Sequence, residues 1–162
     1  MLTVRDVMTP DVLTVRPSMT LTQLDQHLVE ARVSGAPVVE DGVIVGIVSQ
    51  TDVIHTLYGE QLAAQKVSGF YGSPFPIPLA ALVQLSRDRR RIADHMTKLC
   101  VRDIMTPAPG RVTPDSSIEE VARMMTRQGF HRVPVVEGEE LVGIVSTLDL
   151  VRLLGDGSFV AK

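Results

Sequence analysis

The sequence predicts a mixed α/β protein built from two copies of one sheet-and-helix unit. Three observations predict this class: a set of motifs that recurs at one fixed spacing, strand-type and helix-type hydrophobic patterns inside each copy, and a 44% hydrophobic content with only 4% aromatic residues. That hydrophobic content is sufficient for a real core in a chain of 162 residues. The scarcity of aromatic residues indicates that the core is aliphatic and assembled from many small elements.

The repeat is found by comparing the sequence with itself. Three motifs align without a gap: VRD[VI]MTP from Val4 and Val101, PVVE from Pro37 and Pro134, and GIVSxxD from Gly46 and Gly143. Of the 51 aligned pairs that run from 4/101 to 54/151, 18 are identical. Identities that cluster in blocks at one spacing indicate a duplicated unit.

Each copy begins with a short extended piece followed by an amphipathic helix. In the first copy the extended piece covers 13–15, and Leu21, Leu24 and Leu28 then recur at helical spacing. The second copy shows the same helical spacing less cleanly, at Ile118, Val121 and Met125. The pattern predicts one helix per copy with a buried apolar face.

A hairpin and a second helix complete each copy. Strands over 37–40 and 43–48 flank Asp41-Gly42, a pair that strongly favours a tight hairpin turn. The second copy has a looser turn at Gly138-Glu139. The segment Ser-x-x-Asp follows the second strand of each copy, at Ser49 and Ser146, and its hydroxyl and acid predict a helix start close to a capping box.

These patterns predict four segments: a first motif over 1–56, an insert over 57–99, a second motif over 100–155 and a tail over 156–162. A unit of roughly fifty residues buries too little surface to be stable alone. Two homologous halves pack most simply about a pseudo-twofold axis, and this arrangement creates two equivalent clefts. We therefore expect paired pockets.

The insert has no counterpart in the repeat. It is richer in basic than in acidic residues, and the stretch from Leu79 to Leu99 is predicted to be helical. Four arginines cluster there, at Arg87, Arg89, Arg90 and Arg91. They fit a solvated helix face, a surface for a partner protein or a nucleic-acid contact.

Composition argues against several partners. The formal net charge of −3 and the low aromatic content do not favour a nucleic acid as the main partner. The uncharged stretch 67–86 is as long as a membrane span, but glycines and prolines break its first half, so we expect no membrane partner. Cys100 is the single cysteine, and the amino terminus lacks a signal-peptide pattern, so we expect a cytoplasmic location.

No motif for catalysis or metal binding occurs. The four histidines are scattered, and the sequence lacks phosphate-binding loops and nucleophile elbows. We therefore expect neither catalytic residues nor a metal site. What recurs is the acid at a helix start, Asp52 and Asp149, which fits either a simple helix cap or an acceptor for the two hydroxyls of a ribose.

The ordered, duplicated motifs resemble the cystathionine beta-synthase (CBS) domain pair. The resemblance covers 2–55 and 100–154, about two thirds of the chain. It implies two β-α-β-β-α motifs packed about a pseudo-twofold axis and, frequently, a homodimer. We expect a homodimer also because the helix face of Leu21, Leu24 and Leu28 would then be available for burial between copies.

The resemblance also implies a function. Such pairs act as stand-alone regulatory modules that bind an adenosine-containing ligand, AMP, ADP, ATP or S-adenosylmethionine, in clefts between the motifs. They sense energy or a metabolite and regulate an effector protein, which the sequence does not identify; no cofactor is required. The alternative is a structural module that works through dimerisation and has vestigial clefts.

The resemblance assigns candidate ligand residues position by position. Asp52 and Asp149 correspond to ribose-binding acids. Four hydroxyl residues correspond to neighbours of the ribose or phosphate: Ser49, Thr51, Ser146 and Thr147. The Thr-Pro pairs line the base pocket in the family, although a Thr-Pro pair also simply forms a turn: Thr9, Pro10, Thr106 and Pro107.

The two copies differ before the PVV strand. The second copy has His131-Arg132-Val133-Pro134, which resembles the His-Arg pair that holds phosphates in the gamma subunit of AMP-activated protein kinase. The first copy has Ser34-Gly35-Ala36-Pro37, without the basic pair. The resemblance therefore implies unequal clefts, the stronger phosphate site combining Asp52 with His131 and Arg132.

Overall fold

The computed structural model describes residues 2–58, 89–107 and 110–155. The described elements, in chain order, are a 3₁₀ turn (Val4–Asp6), α1 (Leu21–Glu30), β1 (Gly35–Glu40), β2 (Val43–Ser49), α2 (Gln50–Tyr58), α3 (Arg89–Lys98), α4 (Val101–Ile104), β3 (Thr106–Pro107), α5 (Ile118–Gln128), β4 (Arg132–Glu137), β5 (Glu140–Ser146) and α6 (Thr147–Gly155). This confirms the mixed α/β class. No helix within these ranges is long and apolar enough to span a membrane; the uncharged stretch 67–86 and Arg87 lie outside them.

The described residues form two compact units that do not follow the boundaries of the repeat. One unit contains 2–12, 41–44 and 110–155 and is named here the Asp149 unit; the other contains 13–40, 45–58 and 89–107 and is named the Asp52 unit. The VRD[VI]MTP segment of each copy therefore belongs to the same unit as the second helix of the other copy. We call 4–10 and 101–107 the exchanged segments.

The Asp52 unit is built on a three-stranded sheet in the order β1-β2-β3. The predicted extended piece is present: Val15 forms a parallel bridge with Val38, and its backbone N–H donates to the carbonyl of Pro37 at 3.0 Å. The hairpin turn that joins β1 to β2 is also confirmed, although residues 41–44 are grouped with the Asp149 unit, because Asp41 and Gly42 both have positive φ, 52° and 82°, as tight hairpins require.

Helix α1 begins at Leu21, because Thr20 and Gln23 form a capping box. Its three leucines, Leu21, Leu24 and Leu28, are each 0% exposed. They are already covered inside this unit, so the expectation that they form a face for a second copy is wrong.

Helix α3 contributes to this cover, although it lies in the predicted insert. Ile92 and Met96 are buried in the same core as the α1 leucines, and the Thr22 hydroxyl donates to the Met96 carbonyl at 3.0 Å. The end of the insert is therefore part of the Asp52 unit. Arg90 and Arg91 on α3 are exposed, which leaves the three interpretations of the basic cluster open.

The Asp149 unit repeats this arrangement. Strands β4 and β5 are antiparallel, with Arg132 opposite Ser146 at one end and Glu137 opposite Glu140 at the other. Val112 forms the parallel bridge, to Val135, which corresponds to the bridge made by Val15. Both copies thus show the β-α-β-β-α order that the family resemblance implies.

The exchanged segments enter the two cores. Val4, from the first copy, is 0% exposed in the core of the Asp149 unit, and Val101, from the second copy, is 0% exposed in the core of the Asp52 unit. Each segment then pairs with a central strand: Thr9 and Ile144 exchange two backbone hydrogen bonds of 2.9 and 3.0 Å, and Thr106 lies opposite Ile47. The sequence patterns did not predict this exchange.

Glycines in the GIVSxxD motif permit these crossings. A Cβ at Gly143 would lie 2.8 Å from Sδ of Met8, and a Cβ at Gly46 would lie 2.7 Å from Sδ of Met105. Neither contact leaves room for a side chain. The exchanged segment therefore crosses each strand at the residue that has no side chain.

Candidate functional site

The acid at each predicted helix start is held by its own serine. Asp52 Oδ2 accepts hydrogen bonds from Ser49 N and Ser49 Oγ, both at 2.7 Å, and the Asp52 N–H lies 3.4 Å from Ser49 Oγ. Asp149 Oδ2 accepts the same two bonds from Ser146, at 2.8 and 2.6 Å. The helix caps inferred from the sequence are thus present in both units.

In each cap, one oxygen of the aspartate accepts the hydrogen bonds of the serine and the other does not. Oδ2 already accepts two hydrogen bonds, which use the two lone pairs of a carboxylate oxygen. A ribose hydroxyl can therefore bind without disturbing the cap only at Oδ1. Because the cap fixes the carboxylate, Oδ1 is held in a defined position beside the end of β2 or β5.

The Thr-Pro pairs lie across the strands that lead to these acids. Thr9 pairs with Ile144, two residues before Ser146. In the Asp52 unit, Thr106 pairs with Ile47 and Pro107 with Gly46. Thr9, Pro10, Thr106 and Pro107 are all exposed. Each unit therefore brings together one exposed Thr-Pro pair and one capped acid, taken from different copies of the repeat.

The residues before the PVV strands fall into two groups. Ala36, Pro37, Val133 and Pro134 are buried, so they support the site through the backbone of β1 and β4. The carbonyls of Ser34 and His131 accept backbone N–H groups from the first residues of α2 and α6, each at 3.0 Å. These contacts fix the strand start against the helix start.

The remaining predicted hydroxyls differ between the units. Thr147 Oγ1 donates to the carbonyl of His131 at 3.1 Å, so it ties α6 to β4. Thr51 is exposed in the first turn of α2. The two are not equivalent, because at the spacing of the repeat Thr51 corresponds to Leu148 and Thr147 corresponds to Gln50.

The residues at the start of β1 and of β4 also differ between the two units. Gly35 lies where a Cβ would be 2.9 Å from the Val48 carbonyl oxygen. At the equivalent position Arg132 is partly buried. Burial lowers the pKa of Arg132, and the negative charge of Asp149 opposes this effect. Arg132 is therefore a cation within electrostatic reach of the acid of its own unit.

Sequence reasoning missed a second cation beside Asp149. Arg152 Nη1 lies 3.5 Å from Asp149 Oδ1, one turn further along α6. The spacing of three residues on a helix was the signal that could have identified it. His55 occupies the equivalent position after Asp52 and is exposed.

The predicted combination of Asp52 with His131 and Arg132 joins residues of different units, and it stays a prediction.

Within the described ranges, no three His, Cys, Asp or Glu side chains are grouped so that they could hold a metal ion.

Comparisons with known proteins find one family model that matches the chain twice. The model of the CBS domain matches residues 4–59 and 101–156. The chain is 32% identical over 157 residues to the CBS domain-containing protein CBSX2, chloroplastic, of Arabidopsis thaliana, covering 93% of this chain and 62% of that one. It is 27% identical over 150 residues to the CBS domain-containing protein YhcV of Bacillus subtilis, covering 93% and 84%.

Solved structures show the same architecture. The crystal structure of the CBS-pair protein CBSX2 from Arabidopsis thaliana matches with a TM-score of 0.71 and 27% identity, covering 99% of each chain. A structure of CBSX2 in complex with AMP matches with a TM-score of 0.67 and 28% identity, covering 98% and 99%. The chain spans 42% and 62% of the lengths of two curated relatives, MJ1225 of Methanocaldococcus jannaschii and CBSX2. Two copies of the family's motif, in the fold of solved CBS pairs, show that this chain belongs to the CBS domain family.

Proposed function

We propose that the chain is a regulatory module that binds an adenosine-containing ligand and transmits its binding to an effector protein. One observation carries this proposal: each unit holds a capped aspartate with Oδ1 directed away from the cap, next to an exposed Thr-Pro pair. An ionised carboxylate in this setting is a strong acceptor for hydroxyl groups. The binding of AMP by CBSX2 supports an adenine nucleotide as the ligand.

The chemistry of the site favours binding over catalysis. Its acids are engaged by serine caps, and the hydroxyls of Thr147 and Ser146 are themselves engaged in hydrogen bonds. The proposal extends to AMP, ADP, ATP and S-adenosylmethionine as candidate ligands, to a cytoplasmic location and to an effector protein that is not yet identified.

Adding AMP should raise the melting temperature of the wild-type protein. A ligand that binds only the folded state stabilises it by about 2.7 kcal/mol at one hundred times the dissociation constant. For a chain of this size, that free energy corresponds to a shift of about 5–10 °C. Differential scanning fluorimetry over a series of AMP, ATP and S-adenosylmethionine concentrations measures the shift.

The control is the double variant Asp52→Asn, Asp149→Asn, whose melting temperature should respond much less. Asparagine keeps a side-chain oxygen that can cap the helix. If none of these ligands raises the melting temperature of the wild-type protein at millimolar concentration, the sensor proposal fails.

A second candidate function rests on a different observation. Leu148, Val151 and Leu154 form an apolar stripe along α6 and are 50%, 56% and 64% exposed. Exposed apolar stripes of this kind mark interaction surfaces. This stripe favours a dimerisation module as the second candidate function, and it replaces the α1 leucines as the proposed surface for a second copy.

Light scattering should show a homodimer for the wild-type protein, and Leu148→Glu with Val151→Glu should shift it towards a monomer of 17.7 kDa. The reason is that a charge placed in an apolar interface must be desolvated. Val43→Glu is the control, because Val43 is also exposed, at 39%, but lies outside α6. A wild-type monomer, or a double variant that still dimerises, contradicts this assignment.

A further inference from the structure

The two acids have different neighbours at the oxygen that the caps leave available. In the Asp149 unit, Arg152 Nη1 lies 3.5 Å from Asp149 Oδ1. In the Asp52 unit the equivalent residue is His55, and no ion pair to Asp52 is found among the described residues. The repeat therefore supplies an internal comparison of one site with and without an arginine.

The position of Arg152 matters because Oδ1 is the Asp149 oxygen that a ribose hydroxyl would use, and Oδ2 cannot take its place. Ser146 N and Oγ already occupy Oδ2 at 2.8 and 2.6 Å. The Asp149 side chain is only 11% exposed, whereas Arg152 is 68% exposed. The carboxylate is thus confined, and the arginine is the partner that can move.

We propose that Arg152 competes with ribose for Oδ1 of Asp149, so that the Asp149 site selects ligands that carry an anionic group. An uncharged nucleoside must displace Arg152 and offers it no new partner. A nucleotide offers its phosphate, which guanidinium groups bind well. Arg132, the other cation near Asp149, adds to the preference for an anion. Among the described residues no cation competes in this way at Asp52, so that site accepts an uncharged nucleoside more readily.

This inference rests on the proposed function, and single-site backgrounds test it. Asp52→Asn leaves only the Asp149 site, and Asp149→Asn leaves only the Asp52 site. Isothermal titration calorimetry with adenosine, which is uncharged, and with AMP then measures each site separately. Circular dichroism verifies that both backgrounds are folded.

In the Asp52→Asn background, Arg152→Gln should tighten adenosine binding about two- to fivefold, the range expected for removing an ion pair whose arginine is largely exposed. AMP binding should not tighten, because the variant also loses a partner for the phosphate. Arg152→Lys should behave like the parent. In the Asp149→Asn background, His55→Arg should weaken adenosine binding by a similar factor.

Salt dependence separates competition from a purely structural role of Arg152. Adenosine binding to the Asp52→Asn protein should tighten as sodium chloride rises, because salt screens the ion pair. The Arg152→Gln variant should lose this dependence. If adenosine affinity is unchanged by Arg152→Gln, or if AMP tightens as much as adenosine, the inference is overturned. If the wild-type protein binds neither these two ligands nor ATP nor S-adenosylmethionine, the proposed function itself is overturned.

Discussion

Removing the charge of both helix-start acids should weaken AMP binding by about ten- to a hundredfold. A hydrogen bond to a charged group contributes about 1.5–3 kcal/mol, and this range corresponds to that loss of affinity. The variant is Asp52→Asn with Asp149→Asn, and calorimetry measures the dissociation constant. The effect is large because Oδ1 is the one carboxylate oxygen that the serine cap leaves to the ligand.

The same experiment with 2′-deoxy-AMP identifies the ligand group that the acids bind. The wild-type protein should bind AMP at least about tenfold more tightly than the deoxy analogue, since the analogue lacks one hydroxyl of the diol. The double variant should discriminate much less. Equal binding of the two ligands by the wild-type protein would mean that Asp52 and Asp149 serve only as helix caps.

The second large effect concerns the glycines over which the exchanged segments cross. Gly46→Ala and Gly143→Ala should each destabilise the protein by about 1–3 kcal/mol, the usual cost of adding atoms to a packed site. The new methyl group would lie 3.0 Å from the Thr106 carbonyl oxygen in the first case and 3.2 Å from that of Thr9 in the second. The methionine sulfur can move aside, but the backbone carbonyl cannot do so without disturbing the strand pairing.

Gly155→Ala is the matched control, because within the described ranges no atom beyond its chain neighbours and its own helix backbone lies within 4 Å of a Cβ at that position. Urea denaturation should show a lower midpoint for the first two variants and no loss for the control. Each destabilised variant should also bind AMP more weakly, because its Thr-Pro pair moves. Variants at Gly46 and Gly143 that are as stable as the wild-type protein would contradict the close approach.

The elements that the sequence predicted correctly are those encoded by local chemistry. Asp41-Gly42 forms its turn because both residues tolerate positive φ, and the helical spacing of the three leucines correctly predicted the apolar face of α1. The capped acids were visible for the same reason, since Ser-x-x-Asp is a local signal. The ribose-binding role, by contrast, depends on the other residues around Oδ1, and it stays a prediction.

Local sequence could not reveal which copy each exchanged segment packs against. The segments VRDVMTP and VRDIMTP differ at one position, so neither carries a preference for one core. The element that covers the α1 leucines was missed for a related reason. Their cover includes α3, whose Ile92 and Met96 lie far from α1 in the sequence, and amphipathic spacing does not state what will cover a face.

The exchange of segments has a consequence for the origin of the chain. A single ancestral motif would lack the segment that completes its own sheet, and could obtain it only from a second identical molecule. Such an ancestor would be an obligate swapped dimer, whose stability falls on dilution. Fusion of two copies converts that bimolecular association into an intramolecular one with a high effective concentration. Once joined, the two halves were free to diverge, and they now carry His55 in one half and Arg152 at the equivalent position of the other.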